Sequence, residues 1–380
     1  MSSVLHDEHR DHNEHQSDGR RIAVIVTRLT GGDAEHIGVD RLRWLAGAGY
    51  DVTVVPVSAE PADRSLALPA AVTVRYPDGG RSGKVRSIRR LLSETPFDIV
   101  LALQTGPNLL AAEAVAAMAA RPILVLTELE LLTSGLARPG ITAMRRIRRA
   151  RRAYPEADLV IGSSHPISAE LSAAFGVPAS RSLVVHDPVL PAAANPIARS
   201  IDPSAGIQLV IANLLVAATR PHLAILAARD LNSRGVPTHV VAHAEGPLAR
   251  EVAALAKRSD VTFTVSPRGE GWAAQLAPNA VVLLPHRAVG LGRVLVEAAA
   301  HGVPSVGIST ALGVADALIP GITGELAFDD SPSAIADAVY AAARLGVTGI
   351  EGWLDRFSSA TSGAVMGRAL DYAAAQRVAV

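Results

Sequence analysis

Apolar runs of four or five residues recur along this chain, each followed by a segment of helix length, and the alternation is gone through twice. A short continuous apolar run suits a strand buried on both faces, as in a parallel sheet covered by crossover helices. Residues 22–26 form the first such run; Gly31 and Gly32 follow it, a helix is expected over 34–48, and Gly49 ends that helix before a strand over 52–55. The rhythm predicts further helices over 85–92, 109–119, 143–153 and 166–175, interleaved with strands over 99–103, 123–126, 159–161 and 182–185. A second set follows: strands over 208–211, 239–242, 261–265, 281–284 and 305–307, and helices over 221–233, 247–257, 271–276, 292–301 and 332–344. Four prolines between Asp187 and Ala205 mark the break between the two sets. The pattern predicts an α/β protein with two Rossmann-like, doubly wound parallel-sheet domains, their ligands bound at the carboxyl ends of the strands. The expected division is a histidine-rich tail over 1–20, a first domain over 21–188, a linker over 189–205, a second domain over 206–357, and a final helix over 358–380 that returns to the first domain.

Composition narrows what such a protein can do. At 380 residues the chain can bury two sizeable cores. Thirty-six basic residues balance thirty-six acidic ones, so no global field draws it to nucleic acid, and no nucleic-acid partner is expected. The lack of cysteine removes disulfides, thiolate nucleophiles and cysteine-ligated metals from consideration. The first twenty residues are polar, and later apolar runs are broken by Gly, Pro or charge, so a soluble, cytoplasmic protein is expected. His6, His9, His12 and His15 recur every three residues in the tail; they read either as a solvated segment or as a metal-holding face.

The segment Val289-Gly290-Leu291-Gly292-Arg293-Val294-Leu295-Val296-Glu297-Ala298 carries the most chemistry. A Gly-x-Gly turn leading into a helix presents unpaired backbone N–H groups and the positive end of the helix dipole to an anion. Glu297, further along, can accept hydrogen bonds from hydroxyls. Phosphate on the amides and hydroxyls on the carboxylate is the pairing a nucleotide-sugar needs. The segment resembles the donor-site signature of the family-four retaining glycosyltransferases (glycosyltransferase group 1, GT-B fold), in which Val289 would be a glutamate. Further landmarks strengthen the resemblance: Thr30-Gly31-Gly32-Asp33-Ala34-Glu35, Ala157-Asp158-Leu159-Val160-Ile161-Gly162-Ser163-Ser164, Glu245-Gly246-Pro247-Leu248-Ala249-Arg250, and Gly313-Val314-Ala315-Asp316 with Gly321-Ile322-Thr323-Gly324.

The resemblance implies two domains facing across a cleft, the first binding a hydroxyl acceptor and the second a UDP-, GDP- or dTDP-sugar. It also implies hexosyl transfer with retention and without a metal. In donor binding, Gly31 and Gly32 would approach the phosphates; Gly290, Leu291 and Gly292 would hold the diphosphate, and Glu297 the ribose. Asn213 stands at the family's arginine position, and Thr219 or Arg220 at its lysine position, with Arg220 assigned as the surviving cation. Gln104 falls where the family's first-domain histidine would be. Glu128 reads either as a base for the acceptor hydroxyl or as a capping or solvated loop acid. His286, after Pro285, reads as a hydrogen-bonding or structural group. With Val289 apolar, either backbone amides hold the donor, with a deoxygenated sugar favoured, or the site is degenerate and the chain serves as a partner or binding subunit. A sugar-nucleotide epimerase on the same fold is a third reading. The run Arg145-Arg146-Ile147-Arg148-Arg149-Ala150-Arg151-Arg152, with Lys84, Arg86, Arg89 and Arg90 upstream, suits a solvated helix, peripheral contact with an anionic membrane, or phosphorylated acceptors.

Overall fold

The computed structural model describes residues 19–58, 67–134, 140–192, 194, 196–197, 199, 201–269 and 271–378; the tail's histidines, His6, His9, His12 and His15, lie outside them. Contacts divide the chain into one unit of Met1–Ala192 with Arg356–Val380 and another of Ala193–Asp355.

The first unit is built on seven strands: β1 (Arg21–Val26), β2 (Asp51–Pro56), β3 (Thr73–Val74), β4 (Ile99–Leu103), β5 (Ile123–Glu128), β6 (Leu159–Gly162) and β7 (Ser182–Val184). All pairs are parallel, in the order β3-β2-β1-β4-β5-β6-β7. Helices α1 (Asp33–Gly47), α2 (Arg81–Glu94), α3 (Thr105–Val115), α4 (Ile141–Ala153) and α5 (His165–Phe175) supply the crossovers. Because side chains alternate along a strand, β1 sends Ala23 and Ile25 to one face with Ile88, Leu110 and Ile147. It sends Ile22 and Val24 to the other with Leu42 and Leu45 of α1.

The second unit holds β8 (Ile207–Ile211), β9 (Thr238–His243), β10 (Phe263–Ser266), β11 (Ala280–Leu284), β12 (Ser305–Ile308) and β13 (Gly324–Ala327), again all parallel, in the order β10-β9-β8-β11-β12-β13. Around them run α6 (His222–Ser233), α7 (Ala249–Arg258), α8 (Arg293–Ala300), α9 (Val314–Ala317), α10 (Pro332–Ala342) and α11 (Glu351–Asp355). Leu209, Ile211, Val281, Leu283 and Val306 pack under Leu231 of α6 and Ile335 and Val339 of α10.

Three departures from the sequence expectation have local causes. The helix expected over 109–119 begins at Thr105, because Pro107 falls in the first turn, where a missing N–H costs no intrahelical bond. In place of a helix over 271–276 there is a single 3-10 turn, Trp272–Gln275, held between Gly271 and Pro278. β13 has no apolar run to announce it; it pairs with β12 through backbone alone, from Ser305 with Gly324 to Ile308 with Ala327.

The last helix, α12 (Ser359–Val378), puts Met366, Ala369, Leu370 and Ala373 into the core beside α1. A fully buried large apolar side chain adds about 1.5–3 kcal/mol, so this helix is part of the first unit's stability. Gly363 makes the approach possible, since a Cβ there would overlap the indole of Trp44. Gly363→Leu is therefore expected to destabilise the protein by about 1–3 kcal/mol through overpacking. Urea unfolding measures this, and an unchanged midpoint would refute the packing described.

Candidate functional site

In each sheet the strand order reverses once, between β1 and β4 in the first and between β8 and β11 in the second. Loops leaving the carboxyl ends of those two strands diverge there and open a crevice. The candidate residues of each unit collect at that point.

In the first unit, Thr27 follows β1 and Gln104 follows β4, and the Thr27 hydroxyl donates to Gln104 Oε1. That contact occupies the side-chain carbonyl, and the Gln104 side-chain N–H groups have no partner among the described residues. Gln104 has φ 78° and ψ 153°, a conformation almost reserved for glycine, and strain of this kind costs about 1–3 kcal/mol. Among the described residues only Gln104, Arg220 and Asp260 combine a side chain with positive φ. Two of the three are residues the sequence marks for function. Gly31 and Gly32 lie between β1 and α1, but the Gly32 N–H is already engaged, donating to Glu35 Oε2 at 3.0 Å while Arg28 Nε donates to Glu35 Oε1 at 2.9 Å.

Glu128 closes β5 and is 1% exposed, so it is a buried acid and not a solvated loop residue. Its Oε1 accepts from Asn108 Nδ2 at 2.9 Å and from the Tyr154 hydroxyl, and its Oε2 accepts from Thr105 Oγ1 at 3.1 Å. Burial raises its carboxyl to about 7, against the pull of those hydrogen bonds and of Arg146. Thr27, Gln104, Thr105 and Glu128 line a cavity of about 610 Å³ whose wall also carries Arg28, Arg81, Arg145, Arg146 and Arg149.

In the second unit, the turn after β8 is stitched by Thr219, whose hydroxyl donates to the Leu214 carbonyl at 2.5 Å. Thr219 is a brace and is turned away from ligand duty. The next residue, Arg220, takes a left-handed conformation with φ 47°, which carries its guanidinium across the switch point. Nε donates to the Pro285 carbonyl at 2.8 Å and Nη1 to Asp330 at 2.6 Å. Its Nη2 is buried without a partner. His286, beside it, is lowered to about 4 by burial and by the Arg220 charge, so its imidazole is neutral at pH 7.

The loop of Gly290, Leu291 and Gly292 runs directly into α8. Gly292 has φ 77° as the N-cap, and a Cβ there would crowd Leu284 at 3.1 Å. Gly313 has no room for a side chain because the Val289 carbonyl lies against it, so the loop is pinned from below. One turn into α8, Glu297 Oε2 accepts from Arg268 Nη2 at 2.8 Å and from Trp272 Nε1 at 2.6 Å. Oε1 stands 3.9 Å from Arg293 Nη2, beyond hydrogen-bond distance.

Five buried polar atoms around this switch point lack a hydrogen-bond partner among the described residues: Asn213 Oδ1, Arg220 Nη2, His286 Nδ1, and Arg293 Nε and Nη1. An unsatisfied buried group costs about 1–3 kcal/mol. Asn213, Arg220, Gly292 and Glu297 are residues the sequence singled out; Arg268, Trp272, Arg293 and Asp330 are not. Arg293 had a visible signal, a cation at the first position of a helix, where the dipole disfavours it. Arg268 and Trp272 gave none, because only the fold brings the loop after β10 to α8.

Two doubly wound parallel sheets, each with polar groups collected at its switch point, define a protein of the GT-B class. Family models agree: residues 38–193 match Glycosyltransferase Family 4, and residues 206–344 match Glycosyl transferases group 1. The chain belongs to this glycosyltransferase family. Its fold is that of HepE from Anabaena, solved with UDP and glucose, at 17% identity over 92% of this chain and 99% of that one, with a TM-score of 0.69. The lipopolysaccharide outer core galactosyltransferase WaaB in its apo form is similar at 18% identity, 94% and 99% coverage and a TM-score of 0.71. Sucrose-phosphate synthase from Thermosynechococcus elongatus follows at 14% identity, 94% and 97% coverage and a TM-score of 0.69. No curated protein matches the chain in sequence.

The raised carboxyl of Glu128 sets a pH dependence. An unfolded chain releases this proton near 4.5 and the folded protein near 7. Between those values folding takes up a proton, so stability falls as the pH rises from 4.5 and levels off above 7, by about 3 kcal/mol in all. Glu128→Gln keeps the shape and leaves Thr105 able to turn its hydroxyl into an acceptor. It is expected to flatten this slope and to exceed the parent in stability at pH 8, as chemical denaturation between pH 5 and 8 would reveal. Parallel slopes in the two proteins would contradict it.

Proposed function

We propose that the protein transfers a hexosyl unit from a nucleotide-sugar to a hydroxyl acceptor with retention of configuration. What carries this reading is the set of orphaned buried polar atoms on Asn213, Arg220, His286 and Arg293, gathered beside the Gly290 to Gly292 loop. Donors from two guanidiniums at a helix N-terminus suit a diphosphate. A scaffold that had lost its ligand would carry the same desolvation cost with no return, which speaks against the degenerate reading.

In this proposal the donor's diphosphate lies on the 290–292 loop and the start of α8, with Arg220 Nη2 and Arg293 donating to its oxygens. The ribose hydroxyls donate to Glu297 Oε1, while Arg268 and Trp272 hold the other oxygen. Arg293 supplies the second cation at a site where Thr219 cannot. As the bond from the anomeric carbon to the leaving phosphate oxygen breaks, charge grows on the diphosphate and the arginines stabilise it, without a metal. The acceptor oxygen bonds to the anomeric carbon on the same face, and its proton passes to an oxygen of the departing diphosphate. Gln104 offers its amide N–H groups to a substrate oxygen, and Glu128 orders the acceptor pocket near it. A nucleoside diphosphate of UDP, GDP or dTDP type fits these contacts. Peripheral membrane contact is assigned to the outward stripe of α4, where Ile141 and Met144 are 74% and 52% exposed beside Arg148 and Arg152; these suit an anionic lipid surface.

Arg220→Ala is expected to weaken binding of whichever of UDP, GDP and dTDP binds the parent best by one to two decades, since a lost hydrogen bond to a charged group costs about 1.5–3 kcal/mol. Glu297→Gln should weaken the nucleoside diphosphate even without a sugar. Calorimetric titration reads both, and an Arg220→Ala protein that binds as tightly as the parent removes the assignment. Val289 presents no polar atom to a sugar hydroxyl. Val289→Glu is therefore expected to shift donor preference toward fully hydroxylated hexoses. Turnover by Val289→Glu with none by the parent would instead make the natural chain a binding subunit.

A further inference from the structure

The helix α4 carries six arginines and no acidic residue. Its side chains sort by helical spacing: Ile147 and Ala150 are buried, while Thr142, Arg145, Arg146 and Arg149 line the cavity of about 610 Å³ at the first unit's switch point. Arg28 and Arg81 face the same cavity from other elements.

The charges around that cavity do not cancel. Arg28 is paired with Glu35 at 2.9 Å. Arg81, at 3.0 Å, and Arg149 share Glu113, which is not part of the lining. Glu128, the acid at the cavity floor, is saturated by Tyr154, Asn108 and Thr105. Glu130 adds one exposed carboxylate at the rim. Arg145 and Arg146 have no hydrogen bond or ion pair among the described residues, and only the field of Arg146 reaches the buried Glu128. Like charges at spacings of three and four along one helix repel one another, and an outside anion bound between Arg145 and Arg146 on this concave wall would relieve that repulsion.

We propose that this cavity is an acceptor site for a phosphoryl-bearing molecule, whose phosphate oxygens are held by Arg145 and Arg146 with Arg81 beside them, the hydroxyl to be glycosylated lying toward Gln104. Planar guanidiniums with paired N–H donors match tetrahedral phosphate oxygens, and three arginines lining one cavity exceed what a single carboxylate would use. The word acceptor rests on the transferase reading; the anion site itself does not. The phosphate belongs either to a small soluble ester or to a lipid headgroup, and both present the same group to these side chains.

Hydrogen exchange of peptides covering residues 141–153, read by mass spectrometry on the full chain, tests the site. The probes are glycerol 3-phosphate, short-chain phosphatidic acid below its micelle concentration, and glycerol as the uncharged control. One or both phosphate probes should protect these peptides while glycerol does not, and the tighter of the two names the source. Arg145→Gln with Arg146→Gln should raise the apparent Kd at least tenfold. Arg86→Gln with Arg90→Gln, exposed on α2 and outside the cavity lining, should leave it unchanged. Equal loss in both double variants would reduce the effect to general surface charge and overturn the proposal, as would the absence of protection by either phosphate probe. UDP, GDP and dTDP are run in parallel, with protection read over residues 285–300. Phosphate protection with no nucleotide protection there would keep the anion site and remove the transferase reading. Nucleotide protection alone would do the reverse.

Discussion

Every strand pair in both sheets is parallel, and that one constraint organises the molecule. A parallel strand must be reached by a crossover, so all loops that leave strand ends gather along a single edge of the sheet. Where the winding reverses, two neighbouring loops part and leave room for a ligand without disturbing the apolar layers beneath. The buried alternation of Ile22, Val24, Ala23 and Ile25, or of Leu209 and Ile211, fixes the sheets. Polar groups are thereby confined to the edge, where Gln104, Glu128, Arg220 and Glu297 stand.

That edge is also where the molecule stores unfavourable free energy. Gln104 and Arg220 hold backbone conformations that side chains avoid, and orphaned polar atoms cluster around Arg220 and Arg293. Neither helps folding. Strain at Arg220 carries the guanidinium over to Pro285 and Asp330, and strain at Gln104 sets its amide against Thr27. The packing beneath, with Leu284 against Gly292 and with Leu124 and Leu126 on the face of β5 that Glu128 shares, overdetermines these positions.

The sheet strands were legible because their signal is local. An apolar run such as Ile99–Leu103 can be little else once Gly, Pro and helix-length segments bound it. β13 escaped because its pairing is a property of backbone and neighbour, with Glu325 in the middle of the strand. The start of α3 at Thr105 is hidden in the sequence, since Gly106 and Pro107 are poor helix residues outside a first turn. At the site, single motifs were readable: the Gly290 to Gly292 loop, Glu297 and Arg220 each announce a role through position after a strand or within a helix. Partnerships were not. That Arg268 and Trp272 hold Glu297, that Asp330 meets Arg220 across 110 positions, and that Tyr154 and Asn108 bury Glu128 follow only from tertiary contacts. Arg145 and Arg146 were visible as part of a basic run, but helical phase alone separates them from Arg148 and Arg152.

The most direct test of the account is a crystal structure of the protein soaked with a UDP-, GDP- or dTDP-sugar. The account predicts the diphosphate within hydrogen-bond distance of Arg220 Nη2, of the Arg293 guanidinium and of the amides that open α8, with the ribose on Glu297 Oε1. A nucleotide bound away from the second unit's switch point, with Arg220 Nη2 and Arg293 Nε still unpartnered, would contradict it.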